Sequence, residues 1–138
     1  MGKKIMARLL VTASVFVIGL FMVLLALAFL FQPETTGASI GLAASNTQGL
    51  STLRADFLGF FGIIGICMVW GAWRRNGDVL MVPAIIMLVV ITGRIISAIV
   101  DGPYEGYMVP IAMEAIIAAL LFTARAMVPH HRMEEIAG

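Results

Sequence analysis

Residues 9–31 read LLVTASVFVIGLFMVLLALAFLF and contain no charged side chain. A helix needs roughly 17–25 predominantly apolar residues to cross the hydrocarbon core of a bilayer, and this run has that length. The run is too long for the apolar part of a signal peptide, so we expect it to be retained as a first membrane-spanning helix. The segment predicts an integral membrane protein.

Three further segments have the same character. Residues 57–73 carry no charge, residues 79–100 carry only Arg94, and residues 108–124 carry only Glu114. The whole chain is 61% apolar and 12% charged. So few charges could not coat a soluble protein with four such helices in its core. The sequence predicts an all-α fold in one domain, residues 1–138, with four transmembrane helices at residues 9–31, 53–73, 79–100 and 108–126.

The basic residues predict the orientation of these helices. Seven of the nine lysines and arginines fall on one side if the helices run up and down: Lys3, Lys4, Arg8, Arg74, Arg75, Arg125 and Arg132. An excess of basic residues stays on the cytoplasmic side of a membrane. Trp70 and Trp73 then lie at the inner interface, and Tyr104 and Tyr107 at the outer one, where amphipathic rings settle. We expect an up-and-down bundle with both termini in the cytoplasm.

The connections between the predicted helices differ in length. Asn76-Gly77 predicts a tight turn that makes the second and third helices antiparallel neighbours, with Asp78 as the N-cap of the third. Residues 32–50 form a much longer connection that is rich in small residues. This connection keeps three large apolar side chains, those of Ile40, Leu42 and Leu50. We therefore expect an outer loop over residues 32–50 that folds across the mouth of the bundle.

Small residues mark two of the predicted helices. They are Gly59, Gly62 and Gly65 in the second helix and Ala112, Ala115, Ala118 and Ala119 in the fourth. Small side chains let membrane helices approach closely. Packing within the chain is the simpler interpretation, and an interface with a second copy is the alternative.

Charged residues inside the predicted spans point to a candidate site. Arg94 and Glu114 each lie roughly 9 Å from the outer end of their helices at 1.5 Å per residue. Because an unpaired charge in hydrocarbon is costly, we expect the two to pair in the bundle interior. Ser97 and Asp101 share one helical stripe with Arg94, and the start of the second helix adds two charges at the outer rim. The candidate is an intramembrane polar cluster of six residues: Arg54, Asp56, Arg94, Ser97, Asp101 and Glu114.

Two interpretations of this polar cluster stay open. Ion pairs of this kind can fix the register of two helices and close one end of a bundle. Ionisable groups inside a membrane also mark binding or proton-transfer sites, and Glu114 is then the natural acid–base candidate.

The sequence contains no pattern for a catalytic, metal or cofactor site. The two histidines, His130 and His131, are adjacent in the C-terminal tail, so the bundle offers no imidazole to haem, copper or di-iron chemistry. Cys67 lies in an apolar run, where packing is the simple interpretation. The basic residues form short flanks instead of the stripe that nucleic-acid binding requires. We expect no cofactor, no metal and no nucleic-acid partner, and the balance is against an enzyme.

Two motifs resemble a known family. They are LRADF at 53–57 followed by Gly59, and GRIIS at 93–97 continuing to DGP at 101–103 and Glu114. Together they resemble the small bacterial four-helix membrane proteins of domain-of-unknown-function family 4345, over residues 50–125. The resemblance implies the four-helix fold, the importance of the six polar-cluster residues, and a bacterial cytoplasmic (inner) membrane as the location. It implies no activity.

Two functions fit these patterns. The first is a non-catalytic accessory or interaction protein, a subunit of a membrane assembly or a homo-oligomer, surrounded by membrane lipids. The second is a lipid- or small-molecule-binding protein, a carrier or membrane enzyme, that uses a polar pocket in the outer half of the bundle. A cavity beside Arg94 and Glu114 would favour the second function, and a closed ion pair would favour the first.

Overall fold

The computed structural model describes residues 1–128, which form helices and short connections with no β-strand. The helices in these residues are α1 Gly2–Phe31, α2 Pro33–Ser39, α3 Thr47–Trp73, α4 Met81–Val100 and α5 Met108–Met127. All of them except α2 are long and apolar enough to cross a membrane. The predictions of an all-α fold and of four membrane-capable helices are therefore confirmed. His130, His131 and Arg132, singled out in the sequence, lie outside the described residues.

The prediction of a loop throughout residues 32–50 is wrong, because helix α2 lies within it. Pro33 is at the start of α2, where its fixed φ suits a helix and its missing N–H is not needed. Gly37 is buried, and a Cβ atom added to it would lie 3.1 Å from the Leu53 Cδ1 atom of α3. The connection is thus a short helix that packs against the beginning of α3.

Two of the long helices begin earlier than predicted. Helix α3 begins at Thr47 because the Asn46 Oδ1 atom accepts a hydrogen bond of 2.9 Å from the Gly49 amide, which caps the helix. Helix α1 begins at Gly2 instead of residue 9. Its first turns contain lysine and arginine, which are good helix formers. The helix therefore extends beyond the apolar run into the charged residues that precede it.

Helices α1 and α3 pack most closely at two buried glycines, Gly19 and Gly65. A Cβ atom on Gly65 would lie only 2.7 Å from both the Gly19 carbonyl oxygen and the Val23 amide nitrogen. A Cβ atom on Gly19 would lie 2.7 Å from Met68 Cβ. The missing side chains therefore let the two backbones touch, which is how small residues bring membrane helices together.

Aromatic rings continue the contact between α1 and α3 on either side of these glycines. The fully buried Phe29 ring stacks on Phe57 and Phe61, with ring centroids 4.7 and 5.7 Å away. In the other direction, the Phe16 ring lies 6.1 Å from that of Trp73. Low residue numbers on α1 thus meet high numbers on α3, so the two helices are antiparallel.

The main buried apolar core lies in the half of the molecule that contains the turn between α3 and α4. Its buried members are Val15, Ile64, Met68, Ala72, Leu80, Ala84, Met87, Ile117, Ala118, Leu121 and Ala124. Helix α4 has no buried residue after Met87, and α5 has none before Ile117. We call the half with this core the α3–α4 end and the opposite half, which contains the turn between α4 and α5, the α4–α5 end.

The turn that follows α3 is closed by main-chain hydrogen bonds. The Asn76 amide donates to the Gly71 carbonyl at 2.9 Å and the Arg75 amide to the Ala72 carbonyl at 3.4 Å, which together form a Schellman motif. Arg75 occupies the left-handed position of this motif with φ of 52°. Glycine takes this conformation freely, whereas any other residue incurs a cost of about 1–2 kcal/mol.

Asp78 is not the N-cap of α4, so that prediction is wrong. The N-cap is Leu80, which makes no capping hydrogen bond with its side chain. The side-chain oxygen of Asn76 instead accepts hydrogen bonds from the amides of Asp78 and Val79, at 3.0 and 3.4 Å. These bonds keep residues 78–80 in a turn and delay the start of α4.

Candidate functional site

Arg94 and Glu114 form an ion pair that joins α4 to α5. The Nε atom of Arg94 donates to both carboxylate oxygens of Glu114, at 2.8 Å to Oε1 and 3.0 Å to Oε2. The Glu114 side chain is 14% exposed, whereas that of Arg94 is 40% exposed. The pairing expected from their matched depths is therefore present, and the acid is the more deeply buried partner.

A small cavity of about 60 Å³ lies beside Arg94. Its walls include Ser97, Tyr104, Tyr107 and Ile111, so it lies between α4 and the turn that leads into α5. Pockets for small molecules measure about 300–1,000 Å³. The cavity is thus well below the size of a small-molecule pocket.

Ser97 and Asp101 interact with each other near the end of α4. The Ser97 hydroxyl donates to Asp101 Oδ2 at 2.9 Å, and both residues are exposed. Within residues 1–128 this carboxylate makes no ion pair with Arg94. The stripe of polar residues along α4 is thus divided into an ion pair to α5 and a local hydrogen bond.

Arg54 interacts with α1. Its Nε atom donates to the Leu30 carbonyl oxygen at 2.9 Å. Leu30 lies in the last turn of α1, where carbonyls have no partner within the helix, and a basic side chain there also interacts favourably with the helix dipole. Arg54 therefore caps the C-terminus of α1. Sequence reasoning missed this role, although Pro33, which cannot continue a hydrogen-bond ladder, was a signal that the end of α1 needs an external donor.

Asp56 is exposed on α3. Among the described residues, no hydrogen bond or ion pair connects Arg54 or Asp56 to the four polar-cluster residues on α4 and α5. Side-chain hydrogen bonds thus arrange five of the six predicted residues as three separate features: the Arg94–Glu114 pair, the Ser97–Asp101 bond and the Arg54 cap of α1.

A second ion pair connects the α3–α4 turn to the end of α5. Arg125 Nη2 lies 3.9 Å from Asp78 Oδ1. Both side chains are more than a third exposed, at 35% for Arg125 and 47% for Asp78. The Arg125 Nε atom is buried and has no hydrogen-bond partner within residues 1–128. Helix α5 is therefore connected to α4 by a short ion pair and to the α3–α4 turn by a longer one.

The polar side chains described at the α4–α5 end form hydrogen bonds and one ion pair. Within residues 1–128 no three histidine, cysteine, aspartate or glutamate side chains come together as metal ligands would. The Glu114 carboxylate accepts both of its short hydrogen bonds from the same arginine nitrogen. This arrangement suits a clamp between two helices.

A larger cavity, of about 580 Å³, lies at the α3–α4 end. It is an open groove between the first turns of α1 and the last turn of α3, and its walls carry Arg8, Phe16, Trp73 and Arg75. Sequence reasoning used these basic residues and this tryptophan for orientation alone. Basic and aromatic residues lie near the same predicted membrane surface at the start of α1 and at the end of α3. That shared location was the signal that a groove could form between the two helices.

Comparison with known proteins identifies the family. Residues 10–125 match the model of a family described as "Domain of unknown function (DUF4345)". Because the match covers most of the chain, the protein belongs to this family, as its two motifs predicted. No curated protein and no solved structure matches the chain.

Proposed function

We propose that this member of the DUF4345 family is a small integral membrane protein with an accessory or interaction role: a non-catalytic subunit of a membrane assembly or homo-oligomer. The observation that carries the proposal is the direct Arg94–Glu114 pair, in which both short hydrogen bonds of the carboxylate come from Arg94. The cavity beside it measures about 60 Å³, well below the size of a substrate pocket. The polar cluster is then a helix clamp, and function resides in the outward faces of the helices.

The proposed topology is an up-and-down bundle in a bacterial cytoplasmic membrane with both termini in the cytoplasm. It is supported by the concentration of basic residues near Arg8, Arg75 and Arg125, which the positive-inside rule assigns to the cytoplasmic side. The antiparallel contact of α1 with α3 is compatible with this topology.

Small residues at the α4–α5 end support an interaction face. Gly65 and Ala118 are buried within the chain. In contrast, a Cβ atom on Gly59 or Gly93 would meet nothing within 4 Å. Helix α5 also presents an exposed stripe of small residues: Ala112, Ala115 and Ala119. These positions would let another transmembrane helix approach closely, whereas large residues would keep it at a distance.

Native mass measurement in nanodiscs tests the proposal. We expect an oligomer of the chain or a co-purifying membrane protein. Ala115→Leu should disrupt that assembly without unfolding the protein, because the Ala115 side chain is exposed. The matched control is Ser14→Leu, a similar enlargement at an exposed position of α1, which should leave the assembly intact. A strictly monomeric protein with no co-purifying partner would overturn the proposal.

The second candidate is a lipid- or small-molecule-binding protein that uses the polar cluster. One observation favours it: Arg94, though paired, is 40% exposed and lines the cavity with Tyr104 and Tyr107. Glu114→Gln separates the candidates, because it removes the acid while keeping its shape. If this variant folds and assembles, and its proton uptake and bound small molecules equal those of the wild type, the second candidate fails.

A further inference from the structure

The groove at the α3–α4 end has two kinds of wall. Arg8 of α1 and Arg75 of the turn after α3 line it and provide its positive charge. Leu9, Phe16 and Trp73 provide apolar surface. The described residues that line it include no acid. Positive charge beside apolar surface matches an amphiphile with an anionic head.

Within residues 1–128 neither the Arg8 nor the Arg75 guanidinium group makes a hydrogen bond or an ion pair. The neighbouring Arg74 differs, because its guanidinium carbon lies 5.3 Å from the centroid of the Trp70 ring. That geometry is a cation–π contact, and Arg74 does not line the groove. The turn thus contains one arginine in contact with an aromatic ring and one that lines the groove.

The depth of the groove fits a lipid at the membrane surface. Arg8 immediately precedes the uncharged run of residues 9–31, so it lies where the predicted span begins. From Arg8 to Phe16 the groove follows α1 for about 12 Å at 1.5 Å per residue. Trp73, on the opposite wall, is of the residue type that settles at the interface. A headgroup beside Arg8 would therefore place an acyl chain along the apolar part.

The backbone at Arg75 is a further, independent observation. This residue occupies the left-handed position of the Schellman motif, where glycine is the least strained choice. Strained backbone of this kind is often associated with function. Arg75 lines the groove on the wall opposite Arg8.

We propose that this groove binds an anionic phospholipid, with the lipid phosphate between Arg8 and Arg75 and one acyl chain along Leu9 and Phe16. Arginine is well suited to the phosphate because its planar donors form charge-assisted hydrogen bonds to phosphate oxygens. Basic pockets between membrane helices are a known means of retaining anionic lipids. The inference is independent of the accessory role, because the groove lies at the end of the molecule opposite the polar cluster.

The test is a lipid-retention measurement by native mass spectrometry on the full chain. The protein is reconstituted with equal mole fractions of phosphatidylglycerol and phosphatidylcholine and then released into detergent. We expect phosphatidylglycerol to be retained preferentially. Arg75→Gly should reduce that retention about fivefold, which corresponds to about 1 kcal/mol for one basic residue near the surface. Arg8→Gln should have a similar effect.

Arg74→Gln is the matched control, because it removes the adjacent charge from a residue that does not line the groove. It should leave phosphatidylglycerol retention within twofold of the wild type. Arg75→Gly is also informative about folding, since glycine relieves the left-handed strain and should raise the melting temperature in lipid-free detergent. Weaker lipid retention in a more stable protein would exclude misfolding as its cause.

A second measurement uses Trp73 as a reporter. In a Trp70→Phe background Trp73 is the sole tryptophan. Phosphatidylglycerol with brominated acyl chains should quench its fluorescence more than brominated phosphatidylcholine, and Arg75→Gly should remove the difference. Equal quenching by both lipids, or equal loss of retention in Arg74→Gln and Arg75→Gly, would overturn the proposal.

Discussion

The helix pairs α1–α3 and α4–α5 are held together by different kinds of interaction. The first pair is joined by shape: backbones touch at Gly19 and Gly65, and the Phe29 ring stacks against α3. The second pair is joined by the Arg94–Glu114 ion pair at the α4–α5 end and by the buried apolar core at the other, where the Arg125–Asp78 pair also connects α5 to the α3–α4 turn. Lipid tails are as apolar as leucine, so membrane helices need either close packing or polar bonds to associate. This protein uses close packing for one helix pair and a polar bond at one end of the other.

The difference has a structural consequence. Close packing requires complementary surfaces along the whole length of both helices, and α1 and α3 meet from the Phe16–Trp73 contact to the Phe29–Phe57 stack. An ion pair requires only two residues, so it can join helices whose other side chains stay exposed. The α4–α5 end, with no buried residue on either of these two helices, is such a region.

The largest effect is expected from Gly65→Ala. The added Cβ atom would lie 2.7 Å from main-chain atoms of α1, which cannot move aside as a side chain can. The helices must separate, and the expected loss is about 2–3 kcal/mol of unfolding free energy. Thermal unfolding in a fixed detergent measures it.

Gly59→Ala is the control for that prediction. The same substitution on the same helix meets nothing within 4 Å. Alanine favours helix over glycine, so stability should stay the same or rise by up to about 1 kcal/mol. If the two alanine variants lose stability equally, backbone contact is not what joins α1 to α3.

The next largest effect is expected from Arg94→Met. It leaves the mostly buried Glu114 carboxylate without its partner inside the predicted span. Removing one member of a fully buried pair costs about 3–5 kcal/mol, and the partial exposure of Arg94 reduces the expected loss to about 2 kcal/mol. Chemical unfolding in mixed micelles measures this loss.

The double variant Arg94→Met with Glu114→Leu shows whether charge is the cause. Because the double variant leaves no unpaired charge, it should recover most of the lost stability. A double variant less stable than Arg94→Met would mean that the two side chains contribute through shape, as on α1 and α3.

The smallest effect is expected from Arg125→Met, the same chemical change at the other ion pair. The atoms there are 3.9 Å apart and the side chains are 35% and 47% exposed. Exposed pairs contribute about 0–1 kcal/mol, and methionine keeps the apolar stem of the side chain, so the change should be below about 1 kcal/mol. A loss as large as that of Arg94→Met would make both ends of the α4–α5 pair equivalent.

Some features of the polar cluster could be predicted from single residues. Arg94 and Glu114 are the lone charges of their spans at matched depth, and the cost of an unpaired charge in hydrocarbon makes their pairing predictable. Arg54 is different, because its partner is a main-chain carbonyl of Leu30. Main-chain acceptors have no distinctive residue type, so sequence inspection did not predict this hydrogen bond.

The short helix α2 illustrates another limit. Pro33 is a helix-start signal, but the segment that follows is rich in small polar residues and lacks an apolar stripe. Its helical form is accompanied by close packing of Gly37 on Leu53. Such a tertiary contact is invisible to local patterns.

The sequence by itself determined the class of protein and its four membrane-capable helices. These follow from the length of each apolar segment and its lack of charged residues, which can be counted along the chain. It also determined which two charges pair. Only the tertiary structure decided that Gly65 faces α1 while Gly59 faces outward, and that Arg8 and Arg75 share one groove. The physical reason is that each of these outcomes depends on the rotation of a helix about its axis. A helix that is apolar on all sides, as α1 is over residues 9–31, has no polar face in its sequence from which that rotation could be predicted.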